Sequence, residues 1–500
     1  MFEFVKKNID DITYPVEDEE PKLPVFDNLQ MNISYLKAEF GDSFDILYKE
    51  IKLGNADICF VMADGMCENL LVVEQVVKPI ISEKRLPLRK EKLLDFISKN
   101  VVAGIDQQRA ETLQDAIANV LSGLVVLFVD GVNYSECFGV QGFPKRSIDD
   151  AVAEVEEIGS HEAFTESFKD NIALLRRRIR TPVLKCEIVE CGKTSKTRIC
   201  VCYMSDRAKP ETVNDIKKKI KNAKLDTVLG SGYLRPFLDS NRFSFFSALG
   251  TTERPDVACA EMAEGRVLII TDGTPFAIIA PYLFSENFQT MDDYNYRPFY
   301  ATLIRTLKFV SFFIGIFLPG IYIAICTFHQ EVIPVSMLYD MAIQESITPF
   351  PVMFETVFIH FIYEIVREAG LRMPKSIGQT VGIVGAIVIG EAAVSAGLVA
   401  APLLIVVGLS AITSFVVPHL YQPIAFLRFA FMVIGGIFGF YGIVVAASVL
   451  LVNMCAANPY GVPLLSPISP FSLGAMRDNF FRMSWKKLGR RELKIDKMEK

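Results

Sequence analysis

No excess of positive charge runs through the first 300 residues. Over that stretch Asp and Glu outnumber Lys and Arg by 47 to 37, whereas residues 301–500 carry 15 basic and 11 acidic side chains. Nucleic-acid binding needs clustered Lys and Arg to displace phosphate counterions, so an acidic block of this size argues against such a partner. The opening stretch MFEFVKKNIDDITYPVEDEEPKLP has neither an apolar run nor a small-residue cleavage site. It is therefore not read as a secretory signal, and the block behind it is expected in the cytosol. The ten cysteines are scattered rather than gathered into the framework of a small secreted domain, and are expected to be reduced. Cys186, Cys191, Cys200 and Cys202 match no usual zinc-finger spacing. Alternation along VLKCEIVEC and RICVCYM favours cysteines packed on strands. GKTSKT at Gly192–Thr197 lacks the earlier glycine of a phosphate loop, and Glu187 stands there instead. No HExxH is present, so metal hydrolysis has little support, and neither a catalytic residue, a cofactor nor a metal is expected.

What is abundant is apolar sequence, and it lies almost entirely after residue 305. Four stretches approach the length of about 20 residues that a bilayer crossing needs: Phe309–Phe328, Ile377–Leu398, Ala400–Val417 and Phe429–Met454. Phe350–Val366 is a shorter, more polar fifth. Arg297, Arg305 and Lys308 place the start of the first span inside, as do Arg367, Arg372 and Lys375 and the basic tail MSWKKLGRRELK in their own places. The loop HQEVIPVSMLYDMAIQESITPF, free of Lys and Arg, belongs outside. Five full crossings would contradict these flanks, so Ala400–Val417 is expected to be a short re-entrant or tilted element.

The first 280 residues repeat a pattern of an apolar strand ending in Asp-Gly: ADICFVMADG, GLVVLFVDG and GRVLIITDG, each expected to turn into a hairpin. SIDDAVAEVEEI, EAFTESFKDNIALLRRRI and PETVNDIKKKIKNAKLD show helical spacing, the last opening on Pro210. The run Arg176, Arg177, Arg178 and Arg180 reads as a solvated or interface face, or as a docking surface for acidic partners. The fold class is an α/β N-terminal region of one or two small subdomains followed by an α-helical polytopic membrane domain. The divisions are 1–100, 101–295, 296–458 and a basic tail, 459–500.

Ionisable residues inside membrane-grade sequence are costly and mark functional paths. Glu355, His360, Glu364, Gln379 and Glu391 are the candidates for lining or gating a cation path, since acidic rings select cations by field strength. A structural ion pair is the other reading for Glu364, Arg367 and Glu368. Gly378, Gly382, Gly435 and Gly439 permit close helix packing, and Pro319 and Pro334 are expected to break helices.

DNIALLRRRIRTP, TERPD, EGRVLIITDGTPF, RPFYATLIRTLKF, LPGIYIAICTFHQEVIP, PFPVMFE, EIVREAGLRMPKSIGQTVGIVGAIVIG and SPISPFSL together resemble the A subunit of GerA-type nutrient germinant receptors of endospore-forming bacteria. The resemblance implies a non-enzymatic integral protein of the spore inner membrane with a large cytosolic N-terminal domain. It also implies a transporter-like B subunit and a lipoprotein C subunit as partners, and homo-oligomers such as pentameric rings, in contact with lipid, that release monovalent cations. A non-conducting scaffold is the alternative. Glu391 is more reminiscent of the related accessory protein of the SpoVA operon, whereas SPISPFSL is similar to the receptor subunits.

Overall fold

In the computed structural model, the residues described are 22–83, 87, 90–102, 105–142, 151, 154–239, 244–373, 388, 390–471 and 475–484. The α/β region consists of two units with one topology. The first holds α1 (Leu29–Phe40), β1 (Ile46–Leu53), β2 (Ala56–Ala63), β3 (Gln107–Ala110), α2 (Leu113–Leu121), β4 (Val125–Val129) and β5 (Ser135–Phe138), with shorter helical segments between β2 and β3. The second holds α3 (Phe168–Arg178), β6 (Leu184–Cys191), β7 (Thr197–Met204), α4 (Pro210–Asn222), β8 (Gly250–Thr252), α5 (Pro255–Ala263), β9 (Val267–Thr271) and β10 (Ala277–Ala280). The antiparallel sheets run β1-β2-β4-β5-β3 and β6-β7-β9-β10-β8, the same order in each. The division expected at residue 100 falls inside the first unit, because β3, β4 and β5 complete its sheet.

The correspondence extends to single hydrogen bonds. Asn32, fourth residue of α1, clamps the chain before its helix, accepting from Phe26 N at 2.9 Å and donating to Phe26 O at 2.7 Å. Asn171, fourth residue of α3, does the same to Thr165 at 2.7 and 2.6 Å. α2 and α5 end on matching glycines, Gly123 and Gly265, with φ of 83° and 98° that only glycine adopts freely.

Both faces of each sheet are covered. On the first, Cys59, Val61, Val126 and Phe128 pack against α1 and α2, while Ile58, Phe60, Val125 and Leu127 meet the helical segments after β2. On the second, Cys200, Cys202, Leu268 and Ile270 face α3 and α5, and Ile199, Val201, Val267 and Ile269 face α4. Double burial explains why these strands read as continuous apolar runs rather than alternating ones.

Two of the three Asp-Gly hairpins form, through Gly131 into β5 and Gly273 into β10. The first does not. β2 pairs backward with β1 across Gly54, and Gly65 leads into helix. The helix expected over SIDDAVAEVEEI is also missing from residues 154–158, which run irregularly along the second unit. There Glu154 accepts from the Thr252 hydroxyl at 2.6 Å and Glu156 from Met291 N at 2.8 Å, bonds that tie the segment down instead of letting it coil. The arginine run is a solvated face only in part, with Arg178 and Arg180 exposed. Arg176 is fully buried against Asp45 at 2.7 Å, joining the two units, and Arg177 and Arg178 both bind Glu162.

Among the described residues, the apolar helices with full bounds that follow are α6 (Pro298–Phe328), α7 (Val335–Ile347), α8 (Val352–Arg372), α9 (Ala401–Phe415) and α10 (Tyr421–Ala456). α6 and the stretch Pro418–Ala456 are long and apolar enough to cross a bilayer. The loop expected between the first and next segments folds instead as α7, bent 72° from α8. Pro349 and Pro351 cause the break, since proline lacks the amide proton and disfavours helix in the residue before it. α9, with 15 residues, spans about 22 Å, short of the hydrocarbon thickness, in keeping with the short element expected there. Of Ile377–Leu398 only residues 388 and 390–398 are described, helical at 388 and 390–395.

Candidate functional site

A buried polar cluster inside the apolar helices is built around Arg428, fully buried on α10. α6 runs unbroken through Pro319, so the break expected there does not occur. A proline donates nothing to the carbonyl four residues before it. That carbonyl, of Gly315, accepts from Arg428 Nε at 2.9 Å. Arg428 Nη2 donates to Ser410 O at 3.1 Å and to Ser414 Oγ. Ser410 and Ser414 stand one turn apart on α9 and so face the same neighbour. Nη1 lies 3.8 Å from Glu364 Oε1 on α8.

Glu364 is the second centre. Its two oxygens accept from the Tyr421 hydroxyl at 2.8 and 2.7 Å, and Oε2 from Arg367 Nε at 3.1 Å. The Arg367 guanidinium sits 3.8 Å over the Tyr421 ring, a cation–π contact. The ion-pair reading of Glu364 and Arg367 therefore describes this part of α8, with Arg428 and Tyr421 as further members. One turn earlier, His360 is buried with Nδ1 2.9 Å from Thr356 O and Nε2 3.0 Å from Ser410 Oγ. A carbonyl only accepts, so Nδ1 carries the proton and Nε2 faces the serine hydroxyl. His360 and Glu364 are thus brought together with α9 and α10 in one network.

Glu355 is apart from it. In the first turn of α8 its carboxylate is 2% exposed, and neither oxygen has a hydrogen-bond partner among the described residues. Its charge interacts with that of Glu345 on α7. Glu391 is exposed on the helical stretch 390–395. Gln379, Gly378 and Gly382 lie outside the described residues. Pro334 stands at the start of α7.

Gly435 and Gly439 play different parts. A Cβ on Gly435 would stand 2.5 Å from Gly320 O, and one on Gly320 2.6 Å from Phe431 O, so α6 and α10 cross backbone to backbone. Gly439 interrupts α10 with φ of 63° and packs on Phe328. Sequence reasoning missed Arg428, Ser410, Ser414, Tyr421 and Gly320. The signal available was a lone arginine at the mouth of a long apolar run.

At the other end of α6, Arg305 is fully buried, 2.8 Å from both Asp293 and Asp478. The basic flank that oriented the first span is thus bonded to the chain before it and to the returning tail. Cys186, Cys200 and Cys202 bring three buried sulfurs within 4.8 Å of one another. In the first sheet the corresponding register positions hold Tyr48, Cys59 and Val61, so packing of the sheet face accounts for them.

A family model described as Bacillus/Clostridium GerA spore germination protein matches residues 34–493. Spore germination protein KA of Bacillus subtilis (strain 168) is 35% identical over 475 residues, covering 94% of this chain and 87% of that protein. The uncharacterized membrane protein YfkQ of the same organism is 35% identical over 481 residues, covering 95% and 93%. The crystal structure of the N-terminal domain of the A subunit of the Bacillus megaterium spore germinant receptor GerK3 is 29% identical, with a TM-score of 0.43, covering 53% of this chain and 98% of that one. With a family model matched over most of its length and relatives aligned nearly end to end, the chain belongs to the GerA family of spore germination proteins.

Proposed function

We propose that the chain is the A subunit of a nutrient germinant receptor in the spore inner membrane, non-enzymatic, with its α/β region in the cytosol. It assembles with a transporter-like B subunit and a lipoprotein C subunit, and copies of it form a ring that conducts monovalent cations. The observation that carries this reading is Glu355, a buried carboxylate without a hydrogen-bond partner among the described residues, beside a second acid, Glu345. Buried carboxylate oxygens left unbonded are expensive, and a cation passing or resting there repays that cost. The Arg428–Glu364–His360 network supplies the opposite quality, a polar framework bonded between helices that holds α6, α8, α9 and α10 in one arrangement.

The test is potassium release from liposomes holding the full chain with its B and C partners. Nutrient-dependent flux that falls in Glu355→Gln, with protein level unchanged, supports conduction by this subunit. Vesicles tight under every condition overturn it in favour of a scaffold.

A further inference from the structure

A cavity of about 400 Å³ lies where the second α/β unit meets the turn between α9 and α10. Val416, Pro418 and His419 of that turn form one side, and residues of α5 and the 154–156 segment form the other. The volume suits a small metabolite. The lining is short of positive charge. Arg266, buried behind the wall, is shared by three acids that line it, with Nε 2.8 Å from Glu261, Nη1 2.7 Å from Glu264 and Nη2 on Glu286. One guanidinium is thus divided among three carboxyl groups.

Glu156 adds the second observation. It is nine-tenths buried and lines the cavity, and its Oε2 has no hydrogen-bond partner among the described residues. Its nearest cation, Arg254 Nη2, is 3.4 Å away, and Arg254 already forms a two-point bond to Asp256 at 3.1 and 2.7 Å. The other cations of the lining are likewise engaged. Lys308 bonds Thr290 at 2.9 Å and faces Asp293, while Arg207 donates to Ala263 O at 2.6 Å. The demand at this cavity is therefore for a cation. A bare metal ion needs convergent ligands, yet no three carboxylates among the described residues bring ligand atoms within 4.8 Å of one another. Dispersed acids with the Tyr282 and Tyr294 rings beside them fit an organic cation.

We propose that this cavity binds a small organic cation, an amine or guanidine, and that the bound molecule joins the second α/β unit to the α9–α10 turn. The site stands on its own residues and does not rest on conduction.

Burial holds the Glu154 and Glu156 carboxyls up to about 7, and raises Glu261 too. Glu154 faces Glu253, Arg254, Thr252 and His419, Glu156 faces Arg254, Asp256 and Asp292, and Glu261 faces Arg266, Glu264 and Asp478. A bound cation favours the ionised acids, so binding releases protons near neutrality and tightens as pH rises.

The experiment is titration calorimetry of 1,4-diaminobutane into the full chain in lipid nanodiscs, at pH 6 and pH 8, in buffers of different ionisation enthalpy. The expected result is saturable binding about tenfold tighter at pH 8, with proton release. Glu156→Gln weakens it about tenfold, and Glu211→Gln on the exposed side of α4 leaves it unchanged. No saturable heat at either pH overturns the site. If Glu156→Gln lowers the melting temperature, Glu261→Gln takes its place, and unaltered affinity in that variant overturns the proposal.

Discussion

Arg428 supplies the hydrogen bond that Pro319 cannot. The Gly315 carbonyl, left open inside α6 by the proline, is closed by a guanidinium from α10 at 2.9 Å. Replacing Arg428 with methionine leaves the Gly315 carbonyl without its donor, unties α9 at Ser410 and Ser414, and takes one positive charge from beside Glu364. Removing one side of a buried charged network costs about 3–5 kcal/mol, so the melting temperature of Arg428→Met in nanodiscs falls well below wild type. Arg428→Lys recovers only part of the loss, because one ammonium cannot reach acceptors on three helices. A melting curve identical to wild type would show that the network holds nothing.

The bond from Arg176 to Asp45 joins the two α/β units, with both side chains buried. Asp45→Leu strands a guanidinium and Arg176→Met a carboxylate, each costing about 3 kcal/mol or more, whereas the two substitutions together restore much of the loss. Thermal unfolding of the four proteins closes the cycle. Additive losses would count against a direct bond.

The crossing of α6 and α10 is testable with single methyl groups. Gly435→Ala and Gly320→Ala press a Cβ to 2.5 and 2.6 Å from backbone oxygen, and each destabilises by about 1–3 kcal/mol. Gly408→Ala on α9 meets nothing within 4 Å and is neutral or slightly stabilising. Equal melting temperatures for all three would remove the close crossing.

The buried acids set a pH slope. Glu154 and Glu156 sit at about 7, above the ordinary 4.5. Between those values the folded chain binds more protons than the unfolded one, so stability falls as pH rises from about 4.5 to 7 and levels off above. Each acid contributes up to about 1.4 kcal/mol per pH unit. Glu154→Gln flattens the melting temperature across pH 5 to 7, and an unchanged slope would contradict the burial of its charge. The groups facing the two acids, Arg254, Glu253, Asp256, Asp292 and His419, are present in both proteins.

Local chemistry was legible and distant partners were not. Pro210 opens α4 as its spacing implies, and Gly131 and Gly273 turn their hairpins, because each choice is settled within a few residues. Gly65 carries the same Asp-Gly pair but follows a strand whose partner lies behind it. Arg176 reads as surface charge until Asp45, 131 positions earlier, is seen beside it. Pro319 reads as a break for the same reason, since the missing donor is visible in the sequence but its replacement on α10 is not. Glu364 and His360 stood out as charges in apolar sequence. Their grouping with Ser410 and Tyr421 depends on how three helices pack.

At 31 residues, α6 is about 46 Å long against roughly 30 Å of hydrocarbon. The surplus length holds Arg305 and Lys308, gripped by Asp293 and Asp478. An unbroken helix behaves as a lever, and a tilt of about 5° at the gripped end displaces the far end, about 35 Å away, by about 3 Å, the rise of about two residues. The same rod carries Gly315 and Gly320 past α10, so small rotations of the α/β region reach Arg428 as sideways travel.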